Sequence, residues 1–216
     1  MKIVTFSDTH SMHERVNIPD GDILIFSGDM CGRGEMYEVE AFGKFLVSLP
    51  HKHKVVIAGN HDWPFYRDDN SRTAVELLTQ GKDNIHYLED SYIKIEDLNI
   101  YGTPWQPEFN SWAFNLPRNG NELKAIWAQI PTNTDILITH GPPFSILDYI
   151  PRSSIVSLGC ELLYDEVITR IKPILHVFGH IHYAYGVRIT EGTTFVNSCI
   201  CTESYNPIRE PITIDI

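Results

Sequence analysis

Asp8 and His10, Asp29, Asn60 and His61, His140, and His180 and His182 each stand just after a short apolar, β-branched run. The segments are Asp-Thr-His (8–10), Gly-Asp (28–29), Gly-Asn-His-Asp (59–62), Thr-His-Gly (139–141) and Gly-His-Ile-His (179–182). Carboxylates can bridge metal ions, imidazoles favour first-row transition metals, and a side-chain amide oxygen can complete a shell. Together these donors suffice for two divalent ions, and the chemistry they imply is that of a dinuclear centre. Taken singly, each residue has an ordinary explanation, because Asp and Asn are common in turns and histidines are often packed. Turn chemistry alone does not put ligand types after five separate runs, several of them beside glycine. Histidines outside the clusters keep the ordinary explanation. His176 lies inside an apolar run and is expected to be packed. His51 and His53 sit among lysines near a helix end and are expected in solvent, with a favourable dipole interaction. His13 and His86 receive no role.

The runs that must position these groups are Ile3–Phe6, Ile23–Phe26, Val55–Ala58, Ile136–Thr139 and Ile174–Phe178, short and unbroken like strands covered on both faces. Open α/β sheets gather their ligands outside the carboxyl ends of such strands, which would bring residues scattered through the chain to one rim. Met36, Val39, Phe42, Phe45, Leu46 and Leu49 recur at helical spacing before Pro50. Weaker helical patterns run over about Ser71–Gln80, Asn121–Ile130 and Glu161–Ile171, the last closed by Pro173. Toward the C-terminus Gly186–Thr190, Thr194–Asn197 and Ile212–Ile216 are strand-like and predict hairpins completing a second sheet. The expected fold class is α/β, a four-layer α/β/β/α sandwich of two mixed sheets flanked by helices, with residues 1–216 as one domain. Thr103–Gly120 and Gly141–Gly159 have no regular period, and loops of that length are usually functional.

With 216 residues, 43% hydrophobic and 21% charged, the chain can bury a full core without disulfide or metal staples. Its 17 Lys+Arg against 28 Asp+Glu leave a formal charge of −11, which argues against binding duplex nucleic acid. No apolar run approaches the roughly 18 residues of a membrane span, and the first residues do not form a signal peptide, so no membrane partner and a cytoplasmic location are expected. Cys31, Cys160, Cys199 and Cys201 are irregularly spaced and are expected to be reduced, structural thiols.

Through the five segments above, in their order, the chain resembles the calcineurin-like metallophosphoesterase superfamily. Gly102–Phe109 (GTPWQPEF), His140–Pro143 (HGPP) and Phe195–Ser198 (FVNS) are similar to its metallophosphoesterase-domain-containing (MPPED) branch. The resemblance implies a metallophosphoesterase-like fold and two divalent ions (Mn, Fe, Zn or Ni, with Mn favoured). It places Asp8, His10 and His182 on the first metal, Asn60, His140 and His180 on the second, and Asp29 between them. It also implies His61 as the catalytic acid and Asn60 at the substrate. Arg33, in Gly28–Gly34, falls where phosphoprotein phosphatase relatives hold phosphate. The aspartate that neighbours it in those relatives is Gly32 here, which leaves His61 without that carboxylate.

What the resemblance implies for function is a hydrolase of phosphate esters, diesters in the narrower branch, with hydroxide held by the two metals as nucleophile. The substrate would be a small phosphate ester, nucleotide-like or aryl. Trp105, Phe109, Trp112 and Phe114 of the middle loop would serve as substrate wall or as a minicore, two readings that the sequence leaves even. A phosphomonoesterase or phosphoprotein phosphatase is the alternative, supported by Arg33. A noncatalytic interaction module on the same fold comes third, disfavoured by the complete ligand set.

Overall fold

The computed structural model describes residues 1–67, 69–151 and 155–216. Two sheets form its centre. The first has the order β15 (Ile212–Asp215), β1 (Lys2–Phe6), β2 (Ile23–Ser27), β3 (His53–Ile57), β4 (Ile85–Tyr87), with β1 to β4 parallel and β15 antiparallel at the edge. The second has the order β13 (Gly186–Thr190), β14 (Thr193–Asn197), β12 (Leu175–Phe178), β9 (Ile136–Thr139), β6 (Leu98–Thr103), β5 (Ser91–Ile95). Its four inner strands are parallel, and β13 and β5 are antiparallel edges.

Strand alternation sorts the side chains into three seams. Val4, Phe6, Leu24, Phe26 and Val56 face outward under α1 (Met36–Ser48) and α3 (Ser71–Thr79), against Val39, Phe42, Leu46, Ala74 and Leu78. Ile3, Ile23, Ile25, Val55 and Ile57 face inward and meet Ile100, Ile136, Ile138, Leu175, Val177 and Val196 of the second sheet. Tyr101, Leu137, Phe178 and Phe195 face out again under α4 (Asn121–Ala128) and α5 (Glu161–Glu166), against Leu123, Trp127 and Leu163. Three seams make four layers, which is why the strand runs read as continuously apolar.

α1 starts where expected because Glu35 and Glu38 close a capping box around its first turn, and it stops at Leu49 before Pro50. α5 continues into a π-helical turn, Val167–Ile171, ended by left-handed Lys172. A short α2 (Trp63–Tyr66) follows the Gly-Asn-His-Asp turn.

Several elements depart from the sequence expectation. Of the three C-terminal strands only β13 and β14 form a hairpin in the second sheet; β15 returns to pair with β1 in the first. β4, β5 and β6 lie outside the sequence expectation; on the edge strand β5, Tyr92 and Lys94 face solvent and leave no apolar run. The two long loops each carry a minimal strand pair, β7 (Gln106–Pro107) with β8 (Asn115–Leu116), and β10 (Tyr149–Pro151) with β11 (Ile155–Ser157). Residues 152–154 of the second loop lie outside the described residues. His51 is buried rather than solvated, with Nε2 bonded to the Pro19 carbonyl oxygen at 3.1 Å. His53 opens β3 half-buried and stacks on His86 of β4. Both histidines follow α1 into the sheet instead of ending the helix. His176, as expected, is fully buried.

Candidate metal centre

The parallel strands of both sheets end at one rim, where main-chain bonds tie neighbouring strand ends and, from Ser7 to Ser198, join the two sheets. Ser7 N–H donates to the Ser198 carbonyl (3.0 Å), Asp8 N–H to that of Gly28 (2.9 Å) and Gly179 N–H to that of His140 (2.9 Å). Asp8, Asp29, His140 and His180 stand one or two residues past β1, β2, β9 and β12, and Asn60 and His61 follow β3. Asp8, His10, Asp29 and His180 have φ of 55°, 42°, 63° and 65°, a left-handed conformation costly outside glycine that turns each side chain back over the rim. Glycines before Asn60 and His180 serve close approach. A Cβ on Gly59 would strike the Asp29 carboxylate, and one on Gly179 the Asp8 carboxylate and Ser7 hydroxyl.

The imidazoles are aimed through their far nitrogens. Nδ1 of His10, His140 and His182 is held by the carbonyl oxygens of Cys31 (3.3 Å), Ser27 (2.8 Å) and Thr202 (2.9 Å), which commits those N–H groups and turns each Nε2 inward. His10 Nε2 and His182 Nε2 lie 3.3 Å apart. His140 Nε2 is 3.0 Å from Asn60 Oδ1 and 3.4 Å from Asp29 Oδ2, and His182 Nε2 is 3.5 Å from Asp8 Oδ1. Ring nitrogens whose other hydrogens are already donated repel one another at this distance, and a shared positive charge, a proton or a metal ion, would relieve that repulsion.

Asp8, His10 and His182 have ligand atoms all within 4.8 Å of one another; so do His10, Asp29 and His61, and Asp8, Asp29 and His140. Asp8, His10 and Asp29 each belong to two groupings. His180 belongs to none. Its main-chain N–H donates to the Asp8 carboxylate (3.1 Å), its ring lies 5.1 Å from that of His140, and it lines the cavity above.

Electrostatics follow the same plan. Burial works to raise the Asp29 carboxyl, yet the facing His140 and His61 hold it well below the usual range. Burial likewise opposes Asp8, and its bond to His182 still brings it down. Burial depresses His10 to about 4 and His180 to about 3, keeping both neutral, as metal ligation requires. At His140 burial is overcome by Asp29, which lifts it to about 9. The donor set therefore fits divalent cations: ionised carboxylates, an amide oxygen and imidazoles converging in a nearly dry floor.

His61 lies beside this floor. Its Nδ1–H donates to the Gly32 carbonyl oxygen (3.1 Å), its N–H to Asp29 Oδ1 (2.8 Å), and its ring stacks on Trp112 at 4.2 Å and 29°. The carboxylate missing from the sequence at Gly32 is thus replaced by that residue's own carbonyl. Above the floor opens a cavity of about 750 Å³, walled by Phe109, Tyr183, Tyr205 and Ile150 and by Arg118, Glu108 and Glu203.

Two of the expected substrate contacts are not brought there. Arg33 is exposed and absent from the lining, its peptide N–H held by Glu38. Trp105 is half-buried, with its indole N–H on Asp90 (2.8 Å) and its ring against Phe114 and Tyr66. The middle loop divides: Trp105 and Phe114 pack, while Phe109 and Trp112 face the site.

Other residues at the site have roles that residue type and spacing do not assign. Asp62 accepts N–H bonds from Asp29, Met30, Cys31 and Gly59 (2.8–3.3 Å), fixing two ligand turns together, but those partners are backbone groups invisible in sequence. Tyr205, left-handed at φ 58°, sets its ring edge-on to His10 at 4.7 Å. Arg209 bonds the carbonyls of His182, Cys199 and Cys201, tying the C-terminal segment to the last ligand turn.

The family model for calcineurin-like phosphoesterases matches residues 1–184. Metallophosphoesterase domain-containing protein 1 of Homo sapiens is 42% identical over 236 residues, covering 100% of this chain and 71% of the relative. UPF0046 protein C25E10.12 of Caenorhabditis elegans is 37% identical over 229 residues, covering 100% of this chain and 81% of that one. The crystal structure of TT1561 of Thermus thermophilus shares the fold at a TM-score of 0.62 and 14% identity, covering 91% of this chain and 88% of that one. Five strand ends converging on paired carboxylates and inward-facing imidazoles, with these likenesses across the chain, place it in the calcineurin-like phosphoesterase family of metal-dependent phosphate-ester hydrolases.

Proposed function

We propose that the protein is a phosphodiesterase acting on small nucleotide-like or aryl diesters. The observation that carries this reading is the charge of the cavity wall. Arg118 is the cationic side chain of Lys or Arg type among the described lining residues, and its guanidinium is already committed to the carbonyls of Leu158 and Gly159 and to Glu161 (2.7–2.8 Å). Glu108 and Glu203 face the same space. A monoester dianion calls for an extra cation beyond a metal floor, whereas a diester carries one charge fewer. The aromatic walls suit a planar ester group.

Two divalent ions, when bound, supply charge neutralisation and Lewis acidity for displacement at phosphorus. In this reading Asp8, His10 and His182 would hold one and Asn60, His140 and His180 the other, with Asp29 between, and manganese is the favoured ion. Asn60 also borders the substrate. His61, with Nδ1–H given to Gly32, has Nε2 as the atom that hands a proton to the leaving oxygen. Aryl esters enter between Phe109 and Tyr205.

The test is a paired assay of metal-stripped protein re-supplied with Mn, Fe, Zn or Ni. Bis(4-nitrophenyl) phosphate is expected to exceed 4-nitrophenyl phosphate at least about tenfold in kcat/KM, about 1.4 kcal/mol in transition-state stabilisation. The opposite order would identify a phosphomonoesterase, and no turnover of either with both ions bound would identify a noncatalytic module.

A further inference from the structure

We infer that Trp112 is a positioning residue for His61, holding the imidazole at the angle from which its proton reaches the leaving oxygen. The inference rests on the reading of His61 as the acid. A proton-transferring imidazole is normally oriented by a third group on its far nitrogen. Here that group is one peptide carbonyl, Gly32 at 3.1 Å, and a single bond of this kind leaves the ring able to rock about its broad terminal torsion. The carboxylate behind it, Glu38, is spent on the Ser11 hydroxyl and the N–H groups of Gly32, Arg33 and Glu35, so it fixes the Gly32 peptide and not the ring.

Trp112 supplies the missing constraint. Its indole lies nearly parallel to the imidazole, whereas His10 and Tyr205 meet the ring edge-on, at 4.6 and 6.4 Å. The indole is itself held. Trp112 is half-buried, Ser111 and Phe114 beside it are left-handed at φ 53°, and the next residue, Ala113, donates its N–H to the carbonyl of Asn60 at 3.2 Å. That last bond registers the loop against the residue preceding His61, so indole and imidazole are set by one piece of backbone. With one face occupied by His61, Trp112 acts on the acid rather than serving as a platform for substrate.

An acid matters most when the departing group is a poor one, which separates this role from a structural one. Trp112→Leu, Trp112→Phe and His61→Gln would be compared in the metal-loaded enzyme on aryl phosphodiesters running from dinitrophenol to phenol as leaving group. For Trp112→Leu kcat is expected to fall about tenfold on the phenyl ester and less than about twofold on the dinitrophenyl ester, with KM little changed, and Trp112→Phe recovers most of the loss. His61→Gln shows the same selectivity, more steeply. Independently of turnover, the ring-current shift of the His61 Hε1 and Hδ2 resonances disappears in folded Trp112→Leu and persists in Trp112→Phe. Equal losses on both esters, a change confined to KM, or unmoved His61 resonances would overturn the role of Trp112 while leaving His61 as the acid. A His61→Gln enzyme without leaving-group selectivity would remove the acid reading itself, and the role of Trp112 with it.

Discussion

At the scale of residues, the centre works by making side chains unable to point elsewhere. Committing Nδ1 of three histidines to carbonyls of Ser27, Cys31 and Thr202 leaves Nε2 as the remaining donor atom, and left-handed backbone at Asp8 and Asp29 brings the carboxylates beneath them. Asp62 is the residue on which this depends without itself reaching the cavity. Burial, and after it the nearby Asp29, raise its carboxyl to about 6 in spite of the N–H groups it accepts. Asp62→Ala strands those buried amides and is expected to cost about 3–5 kcal/mol of stability. It should also bring metal content below two ions per chain, because the turns of Asp29 and Gly59 are then no longer tied. Urea denaturation and metal analysis of the same preparation check both. A variant that keeps its stability and both ions would show that Asp62 is incidental.

At the scale of elements, β12 carries one of the buried histidines that weaken the fold in acid. His176 Nε2–H donates to the Thr139 hydroxyl (2.9 Å), which in turn donates to the Gly141 carbonyl (2.7 Å), bracing the turn that presents His140. Its Nδ1 has no partner among the described residues, and burial pushes the imidazole down to about 3 from an unfolded value of 6.5. A histidine with a depressed folded value contributes stability that is complete above pH 6.5 and is lost as the pH falls from there toward 3, because the unfolded chain takes the proton first. His176→Gln, which keeps a donor for Thr139, is therefore expected to flatten stability against pH between 6 and 4 by about 1.4 kcal/mol per unit. Urea titrations at fixed pH values measure this, and an unchanged slope would mean that His176 is not the group responsible. The middle loop shows the same dependence on context. Four aromatics alike in sequence divide into two that pack, Trp105 and Phe114 against each other, and two that face the site, Phe109 in the cavity wall and Trp112 on His61.

At the scale of the whole molecule, the centre is a joint between two sheets. Asp8, Asp29, Asn60 and His61 come from the first, and His140, His180 and His182 from the second. A ligand that binds only this assembled form stabilises the fold by mass action. Manganese at about 100-fold over its dissociation constant is expected to add about 2.7 kcal/mol to the metal-stripped protein and to raise Tm by about 8 °C. Calorimetry with and without the ion checks this, and a Tm indifferent to metal would separate the sheets' stability from the centre. Among the described residues no helix is long and apolar enough to cross a membrane.

The layers and the ligand clusters were legible in the order of residues, because both are local. A strand covered on both faces must be apolar throughout, and a turn at the end of such a strand advertises its Asp, Asn, His and Gly within a few residues. Edge strands β4 and β5 escaped because one face or an open edge accepts polar residues, and β15 was assigned to the wrong sheet because pairing partners are not encoded in a strand's own pattern. What lies between distant segments was settled only by the folded chain. Arg33 turns to solvent while Arg118 lines the cavity, Asp62 finds backbone partners up to 33 residues away, and Trp112 rather than Trp105 meets His61. These are facts about distance in space between groups far apart in the chain, and residue type and spacing carry no measure of it.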